Sequence, residues 1–197
     1  SSYTKFPYLR KVWQNNTEEE RLLGVSLTGI MDNPLMTTAN NGLEKTLEHL
    51  KNIAVDTNAE WAERLGIPAS AAITCVKPSG TVSQLVDSSS GIHARHSEYY
   101  IRTVRGDNKD PLTQFMKDQG IPNEPDVFKP DQTTVFSFPM KAPEGATVTS
   151  DLTAIEQLEM WLAYQRSWCE HKPSVTINVK KDEWFEVGSF VYKHFDE

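Results

Sequence analysis

Ala72-Ile73-Thr74-Cys75-Val76-Lys77-Pro78-Ser79-Gly80-Thr81-Val82-Ser83-Gln84 is the stretch on which the reading of this chain turns. Its first half is short, apolar and β-branched, as a buried strand should be. Its second half opens on Pro-Ser-Gly-Thr, a tight turn with a possible helix start. A strand that feeds a helix through such a turn leaves backbone N–H groups without intrahelical acceptors, and these favour negative charge. Gly80 would let an oxygen approach the backbone, while Ser79, Thr81 and Ser83 would supply hydroxyl donors. The bland alternative is an ordinary turn in which Ser79 or Thr81 merely caps a helix. The loop is not a Walker A sequence, because the Gly-Lys-Ser/Thr ending is missing.

Upstream, Gly24-Val25-Ser26-Leu27-Thr28-Gly29-Ile30-Met31-Asp32 suits either a strand or the start of a buried helix. From Leu43, apolar residues at 43, 47, 50, 54, 61 and 65 trace one stripe of a long amphipathic helix, which Gly66 and Pro68 should end. Downstream, Glu98 to Arg105 and Thr133 to Phe138 read as strands, and Ser174 to Val179 as a further one. Asp110 and Pro111 should begin a short helix reaching Gly120. Thr153-Ala154-Ile155-Glu156 fits a capping box for a helix running to Trp168, and Trp184 to Phe195 suits a last helix. Strands alternating with helices imply an α/β fold with a largely parallel sheet or barrel.

The 197 residues carry 20 Lys+Arg against 27 Asp+Glu, a net charge of −7. That balance disfavours non-specific nucleic-acid binding and requires any anion site to be local. No apolar run is long enough to span a bilayer, and no secretory signal opens the chain. Two isolated cysteines exclude a disulfide scaffold and fit a reducing, cytoplasmic setting. Without repeats, low-complexity tracts or Gly/Ser linkers, residues 1–197 read as a single partial domain. Ser1 in place of Met, and a stop just past an aromatic stretch, suggest a piece of something longer.

The second feature of note is Ser88-Ser89-Ser90-Gly91-Ile92-His93-Ala94-Arg95-His96. With Arg102 and Arg105 it makes a basic island in an acidic chain, able to pair with phosphate through Arg forks or simply with neighbouring carboxylates. His93 and His96 lack a third ligand nearby, so no metal site is expected. Cys169 and His171 point apart if helical, and Cys75 reads as a small core residue.

These blocks, with Tyr99-Tyr100-Ile101-Arg102, Trp168 to Val179 and Gly24 to Gly29, resemble the catalytic subunit of ribonucleotide reductases. The likeness is to the monomeric, adenosylcobalamin-dependent (class II) ribonucleoside-triphosphate reductases and runs roughly from Arg21 to the end. It implies the second half of a ten-stranded α/β barrel. It also implies that Pro78, Ser79, Gly80, Thr81 and Val82, with Ser83 and Arg95 beside them, form the substrate-phosphate loop. The implied chemistry is thiyl-radical reduction of a ribonucleotide, with adenosylcobalamin as cofactor, the remainder of the reductase chain as partner and an external dithiol such as thioredoxin as reductant. The family's Asn-x-Cys-x-Glu run, which carries the radical cysteine, does not occur here, nor do the redox cysteines. No catalytic residue is therefore assigned to Cys75 or Cys169, and the piece alone should be inert. The alternative is a non-catalytic nucleotide-binding or interaction module derived from the same fold.

Overall fold

Asn40 begins the longest helix because its side chain accepts the N–H groups of Gly42 and Leu43 at 2.8 and 3.0 Å, two donors the first turn cannot satisfy internally. Gly66, at φ +64°, ends that helix in the left-handed turn expected of it. The computed structural model describes residues 4–197, and the described chain divides into two compact units. One comprises the chain up to Arg95 together with Gly145–Glu197; the other is His96–Glu144. No linker composition marks either crossing.

In the first unit, helix α1 (Lys11–Glu20) precedes strand β1 (Val25–Ser26), a 3-10 turn (Ile30–Asp32), helix α2 (Asn41–Leu65) and strand β2 (Thr74–Cys75). The ambiguous segment at Gly24 is thus part strand and part helical turn. β1 and β2 pair in parallel, Val25 opposite Thr74 and Ser26 opposite Cys75. The one-turn helix α3 (Val82–Leu85) follows, and α5 (Ala154–Ser167) and α6 (Trp184–Lys193) complete the unit. The capping box at α5 forms as expected: Thr153 Oγ1 accepts from Glu156 N–H, while the Glu156 carboxylate accepts from Thr153 N–H.

The core joins Ile30 and Met31, Leu43 and Leu47 of α2, Val76, Ile92, and Met160, Tyr164 and Trp168 from α5 and its end. Only the first turns of the α2 stripe are buried with it. Leu50, Trp61 and Leu65 remain 38%, 51% and 40% exposed, and Trp61 and Leu65 line an open groove.

β2 is held on both edges. β1 lies on one side. On the other, Glu170 N–H donates to Thr74 O at 2.9 Å, and the Glu170 carboxylate accepts from the N–H groups of Ile73 and Thr74 at 2.6 and 3.0 Å. The Trp168 indole N–H donates to Cys75 O at 2.7 Å. Burial raises the Glu170 pKa, but the Thr74 and Ile73 N–H bonds outweigh it and the carboxyl sits below its ordinary value.

In the second unit, β3 (Tyr99–Asp107) and β4 (Asn123–Pro125) flank β5 (Thr133–Lys141), all antiparallel, with helix α4 (Pro111–Asp118) between β3 and β4 in sequence. Asp110 caps α4 by accepting Leu112 N–H at 2.9 Å, with Pro111 at its first position. Two corrections follow. The strands at Tyr99 and Thr133 belong to an antiparallel sheet, not to a parallel one. Ser174 to Val179 forms no ladder among the described residues, although its exposure alternates like a strand's, with Val175, Ile177 and Val179 half-buried. The Asn178 N–H is taken instead by the Gln157 side chain at 3.2 Å.

Candidate functional site

The turn after β2 is clamped before it is exposed. Lys77 N–H donates to Ser26 Oγ at 2.9 Å, and Ser79 Oγ lies 2.8 Å from Thr28 Oγ1. Ser26 and Thr28 are two residues apart, so the chain leaving β1 holds both ends of the 77–79 segment. Gly91 closes it from the other side. It sits at φ +53°, and a Cβ there would lie 2.5 Å from Lys77 O, so only glycine permits this approach.

The left-handed residue of the turn is Ser79, at φ +37°; Gly80 does not take a positive φ. A serine in that region is strained, which is tolerable because its hydroxyl and its carbonyl are both anchored. Ser79 O accepts from Ser83 N–H at 3.0 Å and from Ser83 Oγ at 2.5 Å. Among the described residues, nothing lies within 4 Å of a Cβ placed on Gly80. Among the described residues, the N–H groups of Ser79, Thr81 and Val82 donate to no protein acceptor. Pro78, Gly80, Thr81 and Val82 are exposed. Thr81 and Val82 are adjacent, and bared N–H groups in a turn of this kind suit an anion.

Three expectations change in detail. α3 is four residues long, so it brings little macrodipole, and any pull on an anion must come from the bared N–H groups themselves. Thr81 stands at its N-cap without a side-chain cap bond, so the bland capping alternative is not how these hydroxyls are used. Ser83 is fully buried; its hydroxyl donates to Ser79 O and lies 3.1 Å from Ser90 Oγ, so it braces the turn from inside and offers nothing to a ligand.

Arg95 is likewise internal, its side chain 3% exposed. Nε and Nη2 donate to the two oxygens of Asp32 at 2.9 Å each, and Nη2 also donates to Asp87 O at 2.7 Å. Asp87 Oδ1 lies 3.3 Å from Nη1. Asp32 also accepts Ser89 N–H at 2.7 Å. The guanidinium therefore ties the 87–91 loop to the 3-10 turn after β1, and its charge is balanced locally. In the second unit, Arg105 pairs with Asp126 at 2.8 Å, the carboxylate partner that the alternative reading of the basic island expects. His93 Nδ1 lies 2.9 Å from Ser90 O. Among the described residues, no group of three His, Cys, Asp or Glu is arranged to hold a metal ion. No helix described is long and apolar enough to cross a membrane.

The cysteines are free thiols. Cys169 is buried, and that burial, with Cys75 nearby, pushes its pKa up to about 12. Such a thiol is a poor nucleophile. The residues that sequence reasoning missed are Ser26, Thr28 and Asp32. The signal available for the first two was a pair of hydroxyls spaced by two, one on β1 and one just past its end.

The structure is similar to a crystal structure of a B12-dependent (class II) ribonucleotide reductase, with a TM-score of 0.77 and 24% sequence identity over 92% of this chain and 29% of that one. The architecture is thus a segment of the ribonucleotide reductase barrel. In sequence, the chain is 29% identical to the adenosylcobalamin-dependent ribonucleoside-triphosphate reductase of Lactobacillus gasseri over 95% of its length, and 32% identical to that of Euglena gracilis over 84%. These matches span 29% and 23% of the relatives. No family model matches. The chain is homologous, over nearly its whole length, to one stretch of the adenosylcobalamin-dependent ribonucleoside-triphosphate reductases, and it spans under a third of them.

Proposed function

We propose that this chain is part of an adenosylcobalamin-dependent reductase that converts ribonucleoside triphosphates to 2′-deoxyribonucleotides, and that its own contribution is to hold the substrate's phosphate tail. The observation that carries the second half of this reading is the exposed turn at Pro78–Val82, in which the N–H groups of Ser79, Thr81 and Val82 donate to no acceptor among the described residues. Phosphate oxygens accept hydrogen bonds and would take these donors together with the Thr81 hydroxyl. The bonds are charge-assisted, each worth roughly 1.5–3 kcal/mol. Ser83 and Arg95 serve the site indirectly, by fixing the turn and the loop behind it.

In the parent enzyme the cofactor would supply the radical. No residue of this chain is assigned to the cobalamin. The remaining chain would supply the radical and redox cysteines, and an external dithiol such as thioredoxin would return the electrons. A reducing cytoplasm suits that chemistry.

Gly80 gives the sharpest test. Its φ is not in the left-handed region and a Cβ would meet nothing among the described residues, so Gly80→Val should leave the urea midpoint unchanged or slightly raised. The valine would, however, fill the approach to the bared N–H groups. Calorimetric titration with a ribonucleoside triphosphate should show at least a tenfold weaker affinity than wild type. Equal affinity would reject the phosphate role.

A further inference from the structure

We propose that Thr28 is a positioning residue of the phosphate loop, whose hydroxyl turns over to let Ser79 donate to a phosphate oxygen. This rests on the reading of Pro78–Val82 given above and adds a residue and a device to it.

Thr28 Oγ1 has three partners. Gly91 N–H donates to it at 3.0 Å, Ser89 O lies 3.1 Å away, and Ser79 Oγ is at 2.8 Å. A hydroxyl has one proton and two lone pairs. The carbonyl of Ser89 can only accept, so it takes the Thr28 proton, and Gly91 occupies one lone pair. Ser79 must then donate to the other. In this arrangement the Ser79 proton points into the protein, and an anion in front of the turn would meet its lone pairs.

A second arrangement is available at little cost. Ser79 turns its proton outward to the phosphate, and Thr28 turns its own proton from Ser89 O to Ser79 Oγ. Thr28 still accepts from Gly91. Ser89 O is not orphaned, because Gly29 N–H donates to it at 2.8 Å in either case. The protein loses one neutral bond, to Ser89 O, and gains one charge-assisted bond to the ligand. No backbone moves. A valine at 28 removes the hub; a serine keeps it.

The test titrates inorganic tripolyphosphate and a ribonucleoside triphosphate into the full chain and into Thr28→Val, Thr28→Ser, Ser79→Ala and the Val/Ala double variant. Thr28→Ser should bind within about threefold of wild type. Thr28→Val and Ser79→Ala should each weaken binding about tenfold, and the double variant should be no weaker than Ser79→Ala alone. Thr28 is exposed, so the valine should fold; Thr28→Ala, which adds no bulk, repeats the loss. The proposal is overturned if Thr28→Val binds as wild type, if serine fails to rescue, or if the two losses multiply. A wild-type chain that binds neither probe refutes the phosphate-loop reading itself, and is thereby told apart from a failure of Thr28.

Discussion

Replacing Gly91 with alanine separates two physical effects at one position. At φ +53° an alanine pays the left-handed penalty of about 1–2 kcal/mol. Its Cβ would also sit 2.5 Å from Lys77 O, whereas ordinary contact begins near 3.4 Å, so the 77–79 strand exit must retreat by about 0.9 Å. Forced displacement in a packed region costs about 1–3 kcal/mol more. Gly66→Ala is the control in the same unit: its φ is +64°, but nothing lies within 4 Å, so only the first penalty applies. With a urea slope of roughly 2 kcal/mol/M, the Gly91 variant should unfold about 0.5–1.5 M earlier than the Gly66 variant. The retreat of Lys77 also pulls Ser79 from Thr28, so Gly91→Ala should weaken triphosphate binding while Gly66→Ala leaves it alone. Coincident urea midpoints for the two variants would show that the close approach of Gly91 to Lys77 does not hold the loop.

Two further outcomes are expected from the internal polar ties. Arg95→Met leaves the partly buried Asp32 carboxylate without its fork and should lower unfolding stability by about 1–3 kcal/mol, with Asp32→Asn in the same chain restoring part of it; a loss below about 0.5 kcal/mol in urea titrations would contradict the structural role. Glu170 has a depressed folded pKa, so its stabilisation is present above the ordinary carboxylate range and is lost as pH falls through the folded value. The stability gap between wild type and Glu170→Gln should therefore narrow from about pH 5 to 3, and a gap independent of pH would refute the assignment of the two N–H bonds to the ionised carboxylate.

Local signals in the sequence carried far. The α2 stripe with its Gly66 stop, the Asp110-Pro111 start of α4 and the capping box at Thr153 all form where the residues demand them, since each depends on chain neighbours within one or two turns. The long, ordered blocks from Gly24 to Val179 were also enough to reveal the likeness to the adenosylcobalamin-dependent reductases. Strand pairing was not legible. Tyr99–Asp107 and Thr133–Lys141 have the composition of strands in either kind of sheet, and only the register between them makes the sheet antiparallel.

Residue types alone determined that a hydroxyl-rich turn follows a buried strand, and that a local anion site was the one kind an acidic chain could offer. Tertiary structure decided which of those groups face outward. Ser83 and Arg95 carry the chemistry of phosphate ligands, yet their donors are already engaged by Ser79 O, Asp32 and Asp87, partners 4, 63 and 8 positions away. The placing of Thr28 beside Ser79 spans 51 positions and arises from the parallel pairing of β1 with β2. A hydroxyl's identity is written in the chain, but the direction of its single proton is set by the acceptors that folding brings within 3 Å or so.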